Sequence, residues 1–371
     1  MANSNLTNAK KTKNDEFYTQ YGDIQKEIEA YLEYNPNVFR GKVVYCNCDD
    51  PFESNFFRYF VLNFNKLGLR QLITTSYKPS PIANTQLGLF GDDKTLIKSK
   101  GRPKITANKF IINEVHDMDG NGEFNLKDIA KQLKANKHNE WAPLEKDGDF
   151  RSPECIKLLE HSDIVVTNPP FSLFHEYVKQ LFDYNKNFVI IGNMNAITYK
   201  EIFPLIKNNK LWLGNGFHAG NAYFFTPNTR DFASGVYDEK TGLVKFRNVC
   251  WLTNLDHGRR HQLLPLMTME ENLKYSKHKE LKGKVSYDHY ENYDAIEVPF
   301  TDAIPSDYDE VMGVPISFLH KYSPEQFEII GASDNGAVDE KYKLPHFKKH
   351  NEPYINGKKQ YKRIFIKHKK R

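Results

Sequence analysis

The tetrapeptide Asn168-Pro169-Pro170-Phe171 closes an apolar run, DIVVT (163–167), that has the length and composition of a buried strand. Two consecutive prolines remove two backbone donors and fix φ, so the strand cannot continue and the carbonyls beside them are held in one rigid geometry. Asn168 adds a side-chain carbonyl next to them. Two converging acceptors suit a planar exocyclic amino group. By taking both of its hydrogens they release the nitrogen lone pair from conjugation and aim it at an electrophile. Phe171 supplies a ring face on which an extruded base can stack. Asn-Pro is also an ordinary strand breaker. A turn of this composition directly after an apolar strand favours the chemical reading.

Three other stretches offer chemistry. Cys46-x-Cys48 has no second pair at a spacing that completes four ligands, so packed thiols are the reading for it. Residues 117–128, DMDGNGEFNLKD, follow a calcium loop with Asp117, Asp119 and Asn121 at its first, third and fifth positions and Gly122 at its sixth. The twelfth position is Asp128, whose shorter side chain reaches less readily as a bidentate ligand, and KFIINEVH before it reads as a strand. A polar turn ahead of the helix LKDIAKQLK is the preferred reading, and no metal is expected. Finally, residues 341–371 hold twelve Lys/Arg and one acid, Glu352, a net of +11. The whole chain carries +5, which leaves −6 on residues 1–340. Such a basic segment on a mildly acidic body is the footprint of a polyanion contact. YKRIFIKHKKR, following Asn356-Gly357, reads as a basic strand after a hairpin turn.

These groups need a scaffold that gathers strand ends. QYGDIQKEIEAYLEY (20–34) sets Ile24, Ile28, Tyr31 and Leu32 on one helical face. VVYC (43–46), the turn NCDDP (47–51), an aromatic helix FESNFFRYFVLNF and LITTS (72–76) then alternate strand and helix. After a long turn-rich insert, residues 77–146, expected to project from the sheet as its own small element, the rhythm resumes. DIVVT, the helix SLFHEYVKQLFDY (172–184), FVIIG (188–192), the helix TYKEIFPLIKN (198–208) and LWLG (211–214) form a second run. NAYFFT and NVCWLTNL read as antiparallel strands that close the sheet. The fold class is α/β, a doubly wound and mostly parallel sheet that presents ligands at the carboxyl ends of its strands. Residues 1–270 are expected as the catalytic domain and 271–371 as a smaller C-terminal region.

With 371 residues, 39% apolar and 13% aromatic, the chain has the material for a sizeable core and is not a disordered polymer. Met1 leads into a polar stretch, and nowhere do about 18 apolar residues run together as a membrane span requires. Four cysteines without a framework point to a reducing, cytoplasmic setting.

NPPF after DIVVT resembles the catalytic motif of S-adenosylmethionine-dependent amino-methyltransferases. In particular the chain resembles the EcoRI-type adenine-specific DNA modification methylases. KNDEFYTQY (13–21), VVYCNCDDP (43–51), DGDFRS (147–152), SDIVVTNPPFSLF (162–174), WLTNL (251–255) and GVPISFLHK (313–321) carry the likeness. It runs from about residue 13 to the C-terminus and skips much of 77–146. The resemblance implies a class I methyltransferase fold, S-adenosylmethionine as cofactor and duplex DNA as partner. It makes Asn168, Pro169, Pro170 and Phe171 catalytic. Tyr18 and Thr19 fall on the methionine-binding side, Cys46 and Asn47 in the first strand-to-helix turn, and Asp49 and Asp50 are candidates for the ammonium and ribose hydroxyls. Asp149 and Phe150 correspond to the pair that holds the cofactor adenine, although Asp149 could instead cap the helix beginning near Ser152.

Two departures from the general pattern stand out. CNCDDP contains no glycine, so close backbone approach to a cofactor cannot be argued as for the dinucleotide fingerprint. LITTSY ends without an acid. The expected reaction is methyl transfer to N6 of a flipped adenine, seated between Phe171 and a second aromatic, Phe224 or Phe225. The same NPPF would also serve an RNA base or a glutamine amide, and a nonenzymatic DNA-binding module is the reading from another class. A restriction–modification enzyme beside a separate cognate endonuclease and an orphan modification enzyme both fit, and a monomer is expected.

Overall fold

The computed structural model describes residues 18–48, 54–77, 107–121, 124–135, 138–217, 221–225, 235–333 and 352–369. The chain forms two units, residues 1–194 with 214–255, and residues 195–213 with 256–371. Among the described residues no helix is long and apolar enough to cross a membrane.

The first unit begins with strand β1 (Tyr18–Thr19), helix α1 (Tyr21–Tyr34), β2 (Val43–Cys46), α2 (Asn55–Leu62) and β3 (Gln71–Thr75). It continues through β4 (Asn108–Ile112), α3 (Leu126–Ala135), β5 (Glu140–Pro143), α4 (Pro153–His161), β6 (Ile164–Thr167), α5 (Phe174–Asp183) and β7 (Asn187–Asn193). β8 (Asn221–Phe225), β9 (Leu243–Arg247) and β10 (Val249–Thr253) complete it. Local chemistry fixes the helix starts. Ser54 accepts the Phe57 amide at 3.1 Å ahead of α2. Ser152 does the same for Cys155 at 3.3 Å, with Pro153 in the first turn of α4, where its missing donor costs nothing.

The main sheet runs β5-β4-β3-β2-β6-β7-β10. β3, β2, β6 and β7 are parallel, with Val44 opposite Leu72 and Ile164, and Val165 opposite Phe188. Their residues are buried on both faces, as central parallel strands require. β10 flanks β7 antiparallel. The insert departs from expectation: within its described part, β4 does not project but adds antiparallel to β3, Leu72 facing Ile112, and β5 adds antiparallel to β4, Phe110 facing Trp141. An otherwise open edge of β3 is thereby paired, and the buried Phe110 and Ile112 find a core. Strand NAYFF likewise does not close the main sheet. β8 pairs with β1 and β9 in a small separate sheet, Phe224 lying opposite Thr19 and Val244. Its alternating burial suits a strand with one covered face, whereas β10 is buried throughout.

Helix α1 holds a feature that apolar periodicity does not announce. Beside Ile24, Ile28 and Tyr31, the carboxylate of Glu27 is fully buried. It accepts the Tyr31 hydroxyl at 2.7 Å, the Asn215 amide at 2.9 Å and the Gly216 amide at 3.0 Å. A Cβ on Gly214 would stand 2.0 Å from Glu27 Oε1, so only glycine lets the chain approach this carboxylate.

In the second unit the expected helix 198–208 is confined to Phe203–Lys207, because Pro204 suits a first turn and not a helix interior. Helix α6 (Met269–Tyr275) opens with a capping box between Thr268 and Glu271. Strands β11 (Ile296–Glu297), β12 (Met312–Pro315), β13 (Phe327–Ala332) and β14 (Arg363–His368) form a sheet in the order β11-β12-β14-β13. The expected basic strand is thus present, inserted between two partners, with Ile364, Phe365 and Ile366 buried. The hairpin before it turns on Asn356 and Gly357, at φ 50° and 69°, the signs a two-residue primed turn needs. Among the described residues of the segment, three cations pair with carboxylates. Arg363 and Glu297 are both nearly buried and paired at 2.5 Å, Lys367 meets Glu310 at 2.9 Å, and Lys359 meets Glu352 at 2.5 Å. These three cations are thereby less available to a polyanion.

His320 gives this unit a pH signature. Burial, reinforced by the Arg259 charge, pushes its pKa down to about 4 from 6.5. The folded chain keeps it neutral where the unfolded chain protonates, so stability is lost as pH falls from about 6.5 towards 4. His257, also lowered by burial, has the same sign, while His261, raised by Glu325 and Asp256, has the opposite one. Urea unfolding at pH 7 and pH 5 is expected to show a loss of about 1–2 kcal/mol that His320→Gln largely abolishes. Equal pH dependence in both proteins would refute the assignment.

Candidate active site

The order β3-β2-β6 brings three carboxyl ends side by side, and the sheet changes winding direction at β2, the position where such sheets bind ligands. Hydrogen bonds tie these ends together. Tyr45 and Thr75 share a hydroxyl–hydroxyl bond of 2.9 Å across β2 and β3. Asn47, just past β2, is buried, and its carbonyl accepts the Thr167 hydroxyl from β6 while its Oδ1 accepts the Tyr177 hydroxyl from α5. Asn47 is thus the junction of two strands and a helix. Cys46 lies within the apolar core. Asp49 and Asp50 lie outside the described residues.

The glycine-free turn solves its geometry at Cys48, which sits at φ 61°, in the left-handed region that L residues enter at a cost of roughly 1–2 kcal/mol. Cys48→Gly is expected to be neutral or to stabilise by about 0.5–1 kcal/mol, the strain relieved being partly offset by glycine's unfolded-state entropy. Cys48→Val should cost at least about 1 kcal/mol because branching at Cβ worsens the clash. Urea midpoints of the two variants check this, and equal midpoints would contradict it.

At the neighbouring edge, Gly148 has φ 78°, and a Cβ there would lie 1.9 Å from the Ser76 carbonyl oxygen. The loop carrying Asp149 and Phe150 is therefore pressed onto the end of β3. Ser152 caps α4, which frees Asp149 from that duty. Arg151 grips the Asp149 carboxylate through Nη2–Oδ2 at 2.7 Å and Nε–Oδ1 at 2.9 Å, and this pairing holds the carboxyl below its usual range. Arg151 also reaches Glu176 at 2.9 Å. Phe150 is buried, its ring 5.0 Å from Tyr177 in an edge contact.

Past β6, Asn168 is half-buried with its Oδ1 shielded from solvent, and Pro169 is buried. The Pro170 carbonyl accepts the Leu173 amide at 3.0 Å and opens the turn that leads into α5. Among the described residues none donates to the Pro169 carbonyl. Phe171 packs its half-buried ring against the main core.

Tyr18 and Thr19 form β1, opposite Phe225 and Phe224, and Asn55 at the start of α2 donates to the Thr19 carbonyl at 2.7 Å. The small sheet is thereby fastened to the helix that follows β2. Phe224 is fully buried, in edge contact with Phe246 at 5.6 Å, so it is a core residue and has no face for a base. Phe225 is 44% exposed.

In the acidic loop, Asp117, Asp119 and Asp128 bring carboxylate oxygens within 4.8 Å of one another. Asp128 is buried and accepts the Met118 and Asn125 amides at 3.0 and 2.9 Å, while Asp119 pairs with Lys131 at 3.3 Å. These carboxylates close the turn before α3. Thr167, Tyr177, Gly148 and Glu27 escaped sequence reasoning. A tyrosine three residues after Phe174 on an apolar helical face was the one available hint.

A sequence model for the family described as "Adenine-specific methyltransferase EcoRI" matches residues 5–369. The type II methyltransferase M.EcoRI of Escherichia coli is 44% identical over 371 residues, covering 99% of this chain and 97% of its own length. M.MpnI of Mycoplasma pneumoniae is 33% identical over 97% of this chain and 96% of its own length. M.MgeORF184P of Mycoplasma genitalium is 33% identical over 97% of each. No solved structure matches the chain.

Proposed function

This chain belongs to the EcoRI-type adenine-specific methyltransferase family, and we propose that Asn168 and the Pro169 carbonyl clamp the amino group of an adenine flipped from duplex DNA. The protein is a DNA adenine methyltransferase of the type II restriction–modification class. The observation that carries the clamp is the Pro169 carbonyl, to which no described residue donates, beside the Asn168 amide at the carboxyl end of β6.

Methyltransferases of this kind use S-adenosylmethionine, whose bound sulfonium supplies an electrophilic methyl group. The residues present fit it. Asp149, kept ionised by Arg151, is an acceptor for an adenine amino group, and Phe150 walls the same loop. Asn47, Tyr18 and Thr19 belong to the first turn and the small sheet beside it, on the methionine side, with Asp49 and Asp50 assigned to the ammonium and ribose hydroxyls. Cys46, its side chain in the apolar core, would take part through its backbone alone. Such a division fits reading the main sheet as the doubly wound class I methyltransferase arrangement.

On the substrate side, Asn168 and the Pro169 carbonyl would accept the two amino hydrogens and turn the nitrogen lone pair out of conjugation, towards the methyl group that the bound cofactor would supply. The nitrogen–carbon bond would form as the methyl–sulfur bond breaks, and the surplus amino proton would leave to solvent. No covalent enzyme intermediate is needed. Phe171 and Phe225 stack the extruded base, offsetting part of an unstacking cost of a few kcal/mol. The C-terminal region 271–371 contacts DNA through those basic side chains that its own carboxylates leave unused. The enzyme acts as a monomer, separately from a cognate endonuclease. Incubating the protein with tritiated cofactor and duplex DNA, RNA or protein tests the reading. Label in N6-methyladenine from DNA is expected, and label confined to RNA or protein would refute it.

A further inference from the structure

The outer face of the small sheet β1-β8-β9 carries Phe225, assigned above to the extruded base, and beside it residues to which the transfer reaction gives no role. Strand β8 turns Ala222 and Phe224 inward, while Tyr223 and Phe225 are 41% and 44% exposed. On β9, Lys245 lies opposite Tyr223 and Arg247 opposite Asn221, so both cations share this outer face. Lys245 Nζ stands 5.8 Å from the Tyr223 ring centroid. Among the described residues neither Lys245 nor Arg247 pairs with a carboxylate. The acid in register on this face, Asp238 opposite Leu243, sits on the outermost strand and caps its own turn through the Lys240 amide. Two large exposed rings and two uncommitted cations on one strand pair are unusual for a face that meets only water.

We infer that this face is a track for the DNA strand next to the extruded adenine, with Tyr223 stacking a neighbouring unstacked base and Lys245 and Arg247 each meeting a phosphate. Rings on alternate residues of a strand stand about 7 Å apart, twice the 3.4 Å rise of stacked bases, so one base fits between Tyr223 and Phe225. The strand pair is anchored where the track must begin. Thr19, opposite Phe224, is held by Asn55 at the start of the helix that follows β2, beside the carboxyl end at which the base is to be seated. Charge sign and ring exposure select a nucleic acid over a protein partner.

The inference rests on the reading of the chain as a DNA adenine methyltransferase, and one experiment separates the two. The full chain carrying Tyr223→Ala, Lys245→Ala and Arg247→Ala, with Phe225 untouched, is compared with wild type for cofactor affinity, oligomeric state and steady-state methylation of duplex DNA. Loss of one stacked base and two phosphate contacts is expected to raise the DNA KM roughly 10- to 100-fold, with cofactor affinity unchanged. The slope of log KM against log salt should fall by about two. A companion with Tyr223→Phe and Lys245→Arg should stay near wild type, which excludes a folding defect as the cause. Unchanged KM and salt slope in the triple variant would overturn the track. So would a wild-type dimer that becomes monomeric in the variant at constant KM, since the face would then be a subunit interface. Wild type that transfers no label to DNA at all sinks the underlying reading instead.

Discussion

Asn168→Ala is expected to slow methyl transfer roughly 10²- to 10³-fold, as removal of one preorganised polar group from a transition state typically does. The argument is differential. In the ground state the adenine nitrogen is conjugated and nearly flat, and it gains little from a side-chain acceptor that only one of its hydrogens can reach. In the transition state the nitrogen becomes tetrahedral and positive, and both hydrogens become stronger donors. Asn168 Oδ1, already shielded from water, strengthens its bond at that moment without reorganising. The loss should therefore fall on the single-turnover rate with saturating DNA, while cofactor affinity, measured by calorimetry, stays within twofold. Asn168→Asp keeps one oxygen of the pair and should retain more activity than alanine. Near wild-type transfer by Asn168→Ala would falsify the clamp, because the Pro169 carbonyl alone would then suffice.

The largest effect on stability is expected at Glu27, far from any motif. Its buried carboxylate satisfies the buried Tyr31 hydroxyl and two part-buried backbone amides of the 215–216 turn. Alanine deletes the acceptor and leaves the buried Tyr31 hydroxyl and two part-buried amides without it, at up to about 1–3 kcal/mol each before relaxation. Glu27→Ala should thus destabilise by about 3–5 kcal/mol, the range seen when one member of a buried charged network is removed. Glu27→Gln keeps the shape but can turn only one oxygen to the amides and faces a second with its own N–H groups. An intermediate loss of about 2 kcal/mol is expected for it. Urea unfolding followed by tyrosine and tryptophan fluorescence measures both. A Glu27→Ala protein with a wild-type midpoint would show that the turn holds without its carboxylate. Because the same turn leads into β8, the alanine variant should also raise the DNA KM through Phe225.

The parallel centre of the sheet was legible because VVYC, LITTS, DIVVT and FVIIG are short apolar runs bounded by turns, a pattern that depends on each strand alone. NPPF was legible for the same reason: its two prolines constrain the backbone wherever they stand. Pairing partners were not. β1 meets β8 about two hundred residues along the chain, and nothing local in Tyr18-Thr19 announces Phe224 and Phe225. EWAP and NKFII carry no sign that they would extend the sheet beyond β3, since an edge strand's partner is whichever open edge the fold presents. Phe224 and Phe225 are identical letters with opposite burial, and only the register of β8 against β9 tells them apart. Glu27 was hidden by its composition, because a carboxylate among Gln, Lys and Glu on a helix reads as solvated until its acceptors' partners, 188 and 189 residues away, are known.

Strand β14 lies between β12 and β13, yet it follows both in the chain. During synthesis β12 and β13 emerge tens of residues before the strand that joins them, and each waits with an unpaired edge. The second unit therefore cannot close its sheet cotranslationally in step with the first, whose parallel strands are made early. A host cell meets the finished modification enzyme only after residue 368 has been translated. A chain terminated in this last stretch is expected to leave β12 and β13 with exposed strand edges, which favour aggregation.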